Sequence, residues 1–308
     1  MSDFVQQNST SIEFITDDSW TILNNIEKSI KNKIEKVGIP LKEWNVQINY
    51  GIKTGLNEAF IIPSERRNEI LSHCLTEDEK KRTEQIIRPI LRGRDIKRYS
   101  TTFCDLYVIL AYFGFHKVAE SQYPSLFEYL KQFEAKLKER GQCQYSRTGS
   151  ENSGKDYKGQ HHWLELDNNP SLEKLDDFNK PKILYREISS DMGACYEEKA
   201  MYINNKAYFI IGEHLIWLCC FFNSSIFKKF IFSSFNQTGG KGPDTLLNIR
   251  VPKPSLLQEN SLIKLYNSLM DSDDNIQRKE IEDKIDEFFY KVFNLSDSQI
   301  DFISEEKS

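Results

Sequence analysis

Short runs of β-branched and aromatic residues, each closed by Gly or Pro and separated by helix-periodic stretches, set the class of fold open to this chain. Trp44, Val46 and Ile48 alternate with polar neighbours, and Ala59-Phe60-Ile61-Ile62 stops at Pro63. Leu106 to Tyr112 is a continuous apolar run, Lys182 to Ile188 reads as a strand, and Asn248 to Val251 ends at Pro252. Two pairs of runs read as hairpins. Gly51 to Gly55 would turn the first into Ala59–Ile62, and Asn204-Asn205-Lys206 would join Met201–Ile203 to Ala207–Ile211. Helical segments fall between them: one capped by Asp17-Asp18-Ser19 and running to about Lys36, others near Glu65–His73 and Glu77–Ile87, and one from Tyr123 to Arg140. Glu213–Phe222 and Ser224–Phe232 read as short buried helices. From Ser255 onward the pattern is helical, with Ile281, Ile285, Phe288, Phe289 and Val292 in one stripe. The expected architecture is α/β (mixed α+β) with a C-terminal helical subdomain. Its divisions fall at 1–40 (an N-terminal helical linker), 41–254 (the main domain) and 255–308 (the helical tail).

Charge is unevenly spread. The 308 residues carry a net −5, which alone disfavours a phosphate-rich partner. Between positions 80 and 160, however, 16 Lys and Arg face 9 Asp and Glu, a local +7. From 255 to the end 6 face 13, a local −7. A basic face backed by an acidic tail is compatible with nucleic acid. The most apolar stretch, Ala207 to Phe222, is broken by Glu213 and His214 and is too short for a membrane span. Six scattered cysteines, none in CxxC spacing, suit reduced thiols in a cytoplasm better than disulfides or a zinc site.

Familiar catalytic signatures are missing. No Gly-Lys-Ser/Thr ending follows the glycines at 51–55, and there is no GxSxG elbow, HExxH helix or Pro-Pro pair of the kind an amino-methyltransferase loop uses. Glu134-Ala135-Lys136, Asp156-Tyr157-Lys158 and Glu197-Glu198-Lys199 have the Glu/Asp-x-Lys form of metal nucleases, a pattern that chance makes common in a chain with 28% charged residues. The alternative enzyme would be a metal nuclease using Glu187, Asp191, Glu197 and Lys199. A further alternative is a protein-interaction scaffold built on the acidic tail.

Three basic or aromatic groups could touch a polyanion. Arg92-Gly93-Arg94-Asp95-Ile96-Lys97-Arg98 is either a solvated turn or a phosphate clamp, for which Arg offers fork geometry. His161-His162-Trp163, at the exit of the long polar stretch 142–160, is either structural or a stacking and phosphate contact. Gln237 to Pro243, with three glycines and Lys241, could let backbone approach a ligand closely.

Two blocks carry a resemblance. Leu41-Lys42-Glu43-Trp44 with Gly51 to Ile62, and Ile87-Arg88-Pro89-Ile90-Leu91-Arg92-Gly93-Arg94-Asp95-Ile96-Lys97-Arg98-Tyr99, resemble the C-terminal specificity region of Eco57I-like type IIG restriction–modification enzymes, which is related to that of the TaqI methyltransferase. Weaker matches follow in order at His162–Glu165, Pro181–Tyr185, Leu215–Phe232 and Leu247–Pro252. The resemblance implies a non-catalytic module that reads double-stranded DNA for an adenine-specific methyltransferase. That upstream domain would lie in the same chain or in a partner. S-adenosylmethionine, and Mg²⁺ where the parent also cuts, would belong to the parent enzyme and no cofactor to this piece. It further implies Lys53, Thr54 and Asn57 near DNA or the methyltransferase junction, and Arg92, Arg94, Lys97 and Arg98 on phosphates. Groove readout would come from 145–163 and 237–241, with Arg147, Lys155, Lys158, Gln160, His161, His162, Trp163, Gln237 and Lys241 as contacts.

Overall fold

A computed structural model of the chain describes residues 24–143, 161–168, 170–187, 192–232 and 242–304. Among these lie strands β1 (Gly38–Pro40), β2 (Val46–Tyr50), β3 (Ile61–Pro63), β4 (Ile87–Leu91), β5 (Ile96–Lys97), β6 (Ser100–Thr101), β7 (Leu106–Ile109), β8 (Lys182–Arg186), β9 (Cys195–Glu197), β10 (Tyr202–Ile203), β11 (Ala207–Gly212) and β12 (Arg250–Pro252). The chain forms two compact units, Val46–Leu215 and a discontinuous one made of Met1–Asn45 with Ile216–Ser308. These breaks differ from the divisions at 40 and 254 read from the sequence.

The Val46–Leu215 unit holds two four-stranded sheets, in the orders β10-β4-β7-β3 and β2-β11-β8-β9. β7 pairs antiparallel with both β3 and β4, and β4 pairs parallel with β10. In the second sheet every pairing is antiparallel. β11 is central and buried along all but its last residue, which explains why Ala207–Ile211 is a continuous apolar run and not an alternating one. Leu91, Val108, Ile109, Leu184, Ile203 and Phe209 from the two sheets share one core with Phe60 of the turn before β3.

Neither expected hairpin forms. β2 belongs to the second sheet and β3 to the first, and the segment Asn57–Phe60 before β3 is a single helical turn. Likewise β10 lies in the first sheet and β11 in the second. Both turns carry the chain from one sheet to the other. Local alternation records that a segment is extended but not which strand it pairs with. The helix expected over Tyr123–Arg140 is also divided, into Pro124–Lys131 and Glu134–Lys138. At Gln132 and Phe133 the backbone N–H groups bond three residues back, to Tyr129 and Leu130. Beyond this tightened turn Leu137 and Arg140 are buried.

The other unit is mainly helical. Asn25–Val37 begins with a capping box between Asn24 and Glu27. The segment 17–23, where the sequence placed the start of this helix, lies outside the described residues. Leu215–Asn223 opens at the unit boundary, and its Trp217 and Phe221 pack on Phe289, with ring centroids 5.3 Å apart in both pairs. Phe289 belongs to Asn275–Val292, whose expected stripe buries Ile281, Ile285 and Phe289. Lys33 and Ser29 both hydrogen-bond Gln299, at 2.7 and 2.8 Å, and β1 pairs with β12. The N-terminal helix thus packs with the C-terminal helices. No described helix is long and apolar enough to cross a membrane.

Candidate nucleic-acid interface

The two sequence blocks that carry the resemblance meet at one turn, Asn204-Asn205-Lys206. Ile52 N–H donates to Ile203 O (2.7 Å) and Asn205 N–H to Ile52 O (2.9 Å), while Asn204 N–H donates to Leu91 O (3.0 Å). The Asn204 side-chain oxygen accepts from Gly93 N–H and Lys206 N–H, both at 3.2 Å. Glycine is required on both sides of this turn. A Cβ at Gly51 would stand 2.1 Å from Asn204 O, and one at Gly93 would stand 2.4 Å from Lys206 O. Both glycines permit this close backbone approach.

Beside the turn lies a cleft of about 420 Å³ lined by Arg92, Gly93, Arg94, Arg186, Glu187, Asn204 and Lys206. Its cations differ in how far they are committed. Arg92 makes a two-pronged pair with Asp95 (2.8 and 2.9 Å), which also accepts from Arg92 N–H. Burial alone would raise the Asp95 pKa, but the Arg92 hydrogen bonds and charge outweigh it and hold the carboxyl below its ordinary value. Arg92 therefore shapes the turn, and any phosphate contact it makes would share the guanidinium with Asp95. Arg94 and Lys97 are exposed, and neither has an ion-pair partner among the described residues. Arg98 is half-buried and lies over the Tyr99 ring at 5.4 Å. Lys206 pairs loosely with Glu187 at 3.3 Å.

A second cluster, in the same unit, gathers the other expected residues around a buried guanidinium. Arg140 is 7% exposed and donates to four backbone carbonyls: Leu137, Thr54, Trp163 and Glu165. Lys53 pairs with Asp167 at 2.7 Å, and Asp167 also bonds His161 Nε2 at 3.1 Å. His162 stacks on His116, with ring centroids 4.4 Å apart. Thr54, His161 and Trp163, three of the expected contacts, are buried in this chain. Thr54 instead donates to Asn57 (2.7 Å), and Asn57 is exposed together with much of Lys53.

This cluster predicts acid sensitivity. Burial and neighbouring His116 push His162 down to about 4. Burial would raise Asp167, but hydrogen bonds from His161 and Lys53 hold it at about 2. Both folded values lie below those of the unfolded chain, roughly 6.5 and 3.9. Each contribution is therefore whole above the unfolded value and is lost as pH falls towards the folded one. Denaturant titrations across pH should show stability falling from about pH 6.5 to 4 through His162, then from about 4 to 2 through Asp167. His162→Gln should remove the upper step alone; a wild-type profile flat between pH 6.5 and 4.5 would contradict the assignment.

Arg147, Lys155, Lys158, Gln160, Gln237 and Lys241, like Asp191, lie outside the described residues. Cys143 and His161, which flank 144–160, are bridge partners. Sequence reasoning missed Arg186 and Lys206 in the cleft, because Lys206 was assigned to a hairpin tip and Arg186 to a strand. Arg140 enters that reading only as the end of a helix; the signal of its burial is its place three residues past Leu137, on a face already apolar. Glu187 is engaged by Lys206, and Glu197 accepts from Lys199 N–H at 2.8 Å.

Residues 88–251, more than half of the chain, match the TaqI-like C-terminal specificity domain family. The chain belongs to that family. Among solved structures, this specificity domain is similar to the type IIL restriction–modification enzyme MmeI, whose structure was determined in complex with DNA. The TM-score is 0.54 at 10% identity, over 86% of this chain and 35% of that one. The match supports the fold, and the chain spans about a third of that enzyme. The type IIG restriction endonuclease BpuSI aligns with a TM-score of 0.45 at 10% identity, over 88% of this chain and 34% of that one, too low to carry an argument. No curated protein matches the chain.

Proposed function

We propose that this chain is the DNA target-recognition module of a type IIG restriction–modification enzyme and has no catalytic centre of its own. Its partner is an S-adenosylmethionine-dependent, adenine-specific methyltransferase domain, in the same chain or docked to it. The observation that carries the reading is the cleft beside Asn204–Lys206. Arg94 lines it and Lys97 follows three residues on; both are exposed with no ion-pair partner among the described residues, and Lys206 in the lining pairs with Glu187 at 3.3 Å. Exposed cations such as Arg94 and Lys97 suit phosphate contact, since they release counterions without breaking an internal pair. Of the carboxylates in the alternative nuclease reading, Glu187 faces Lys206 at 3.3 Å and Glu197 accepts from Lys199 N–H at 2.8 Å, while Asp191 lies outside the described residues. The module grips duplex DNA and fixes its register, and it presents the target adenine to the methyltransferase, which must flip that base from the stack.

The test is duplex affinity as a function of salt. Three phosphate contacts give a slope of log K against log[salt] of about −3. Arg94→Ala should flatten that slope by about 1 and weaken all sequences alike. An unchanged slope and affinity would remove Arg94 from the interface.

A further inference from the structure

A row of three tyrosines crosses the second sheet. Tyr185 on β8, Tyr208 on β11 and Tyr50 on β2 stand directly opposite one another in register. Tyr185 and Tyr208 are stacked, with centroids 5.2 Å apart and planes at 18°. Tyr208 and Tyr50 follow at 5.1 Å and 55°. Exposure rises along the row, from 0% at Tyr185 through 6% at Tyr208 to 62% at Tyr50.

A single exposed aromatic needs no explanation. Two features set Tyr50 apart. The first is the polar edge of the row. The Tyr208 hydroxyl lies 3.5 Å from one oxygen of Glu187, whose other oxygen is 3.3 Å from Lys206 Nζ. Lys206 stands two residues before Tyr208 and Glu187 two after Tyr185, on the same side of their strands. The row therefore runs to the rim of the cationic cleft. The second is the Tyr185 hydroxyl, fully buried without a hydrogen-bond partner among the described residues. Phe would pack as well at a position that only supported the sheet, and would avoid an unsatisfied group.

Resting on the recognition reading above, we infer that Tyr50 is a stacking platform for a nucleobase displaced from the duplex. Tyr208 and Tyr185 hold its ring from behind, and Lys206, kept in place by Glu187, takes the adjoining phosphate. Stacking on an aromatic face accepts any base, so this site contributes grip on distorted DNA and no sequence choice. An unpaired base requires little unstacking, so DNA already carrying one should bind more tightly.

The experiment compares the 308-residue chain on two duplexes of equal length, one fully paired and one with a single bulged nucleotide, and reads the ratio of affinities. Wild type should prefer the bulged duplex by about tenfold, the size of one base–aromatic stack. Tyr50→Phe should keep the ratio and Tyr50→Ala should bring it to about one. Tyr50 is a surface residue, and a thermal melt checks that both variants fold. A ratio of one in wild type, or an undiminished ratio in Tyr50→Ala, overturns the platform while leaving the recognition reading standing. Binding to neither duplex at low salt overturns the recognition reading and the platform with it.

Discussion

Arg140→Met should destabilise the Val46–Leu215 unit by about 3–5 kcal/mol, the cost of leaving several buried polar groups without a partner. The side chain is buried against the Phe60 ring, its guanidinium 5.4 Å from the centroid. Its donors close the carbonyls of Thr54, Trp163 and Glu165 at 2.8 Å each and that of Leu137 at 3.1 Å. These carbonyls come from separate segments, so one planar fork fixes the Lys53–Gly55 turn and the 163–165 segment to the end of the helix Glu134–Lys138. Burial pulls the Arg140 pKa down, and Cys143, Asp167 and Glu165 push it back. Met fills the volume but satisfies no oxygen. Lys cannot reach four acceptors in this geometry and should rescue little. Against a total of about 5–15 kcal/mol for an ordinary domain the loss is large. Urea denaturation measures it directly, and a loss below about 1 kcal/mol would mean that water serves those carbonyls equally well.

Gly51→Ala and Gly93→Ala should each cost about 3 kcal/mol, the upper range for forced overpacking. In both, the obstructing atom is a backbone oxygen, of Asn204 or of Lys206, which no rotamer change can move aside. The two substitutions press on the same turn from opposite sequence blocks. Once one has displaced it the other meets less resistance, so the double variant should cost less than the sum. Gly141 is the control, since a Cβ there meets nothing within 4 Å among the described residues and its φ is ordinary. Gly141→Ala should be near neutral. Full additivity of the two losses would show that the blocks do not share the turn.

The sequence made individual elements legible wherever burial wrote a clear pattern. The Ile281–Phe289 stripe, the apolar run of β11 and the helix Glu77–Ile86 all stand close to where the residue pattern puts them. Pairing was not legible. Gly51–Gly55 and Asn204–Lys206 have the composition of hairpin turns, yet each passes between sheets, because strands distant in sequence supply the better-buried partners. The site was half legible for a related reason. The run Arg92–Arg98 shows its charge but not that Asp95 engages Arg92 while Arg94 and Lys97 stay uncommitted. Nor does a sequence reveal that Lys206, 109 residues after Lys97, shares a cleft with Arg94; only the crossing of two sheet connections puts it there.

Retention of duplexes from a random pool, at low and at moderate salt, followed by sequencing of the retained strands, tests the central claim most directly. A target-recognition module should hold DNA at low salt, lose it steeply as salt rises, and enrich a defined motif. Failure to retain any duplex at low salt, or retention that is insensitive to salt and enriches no sequence, would contradict it.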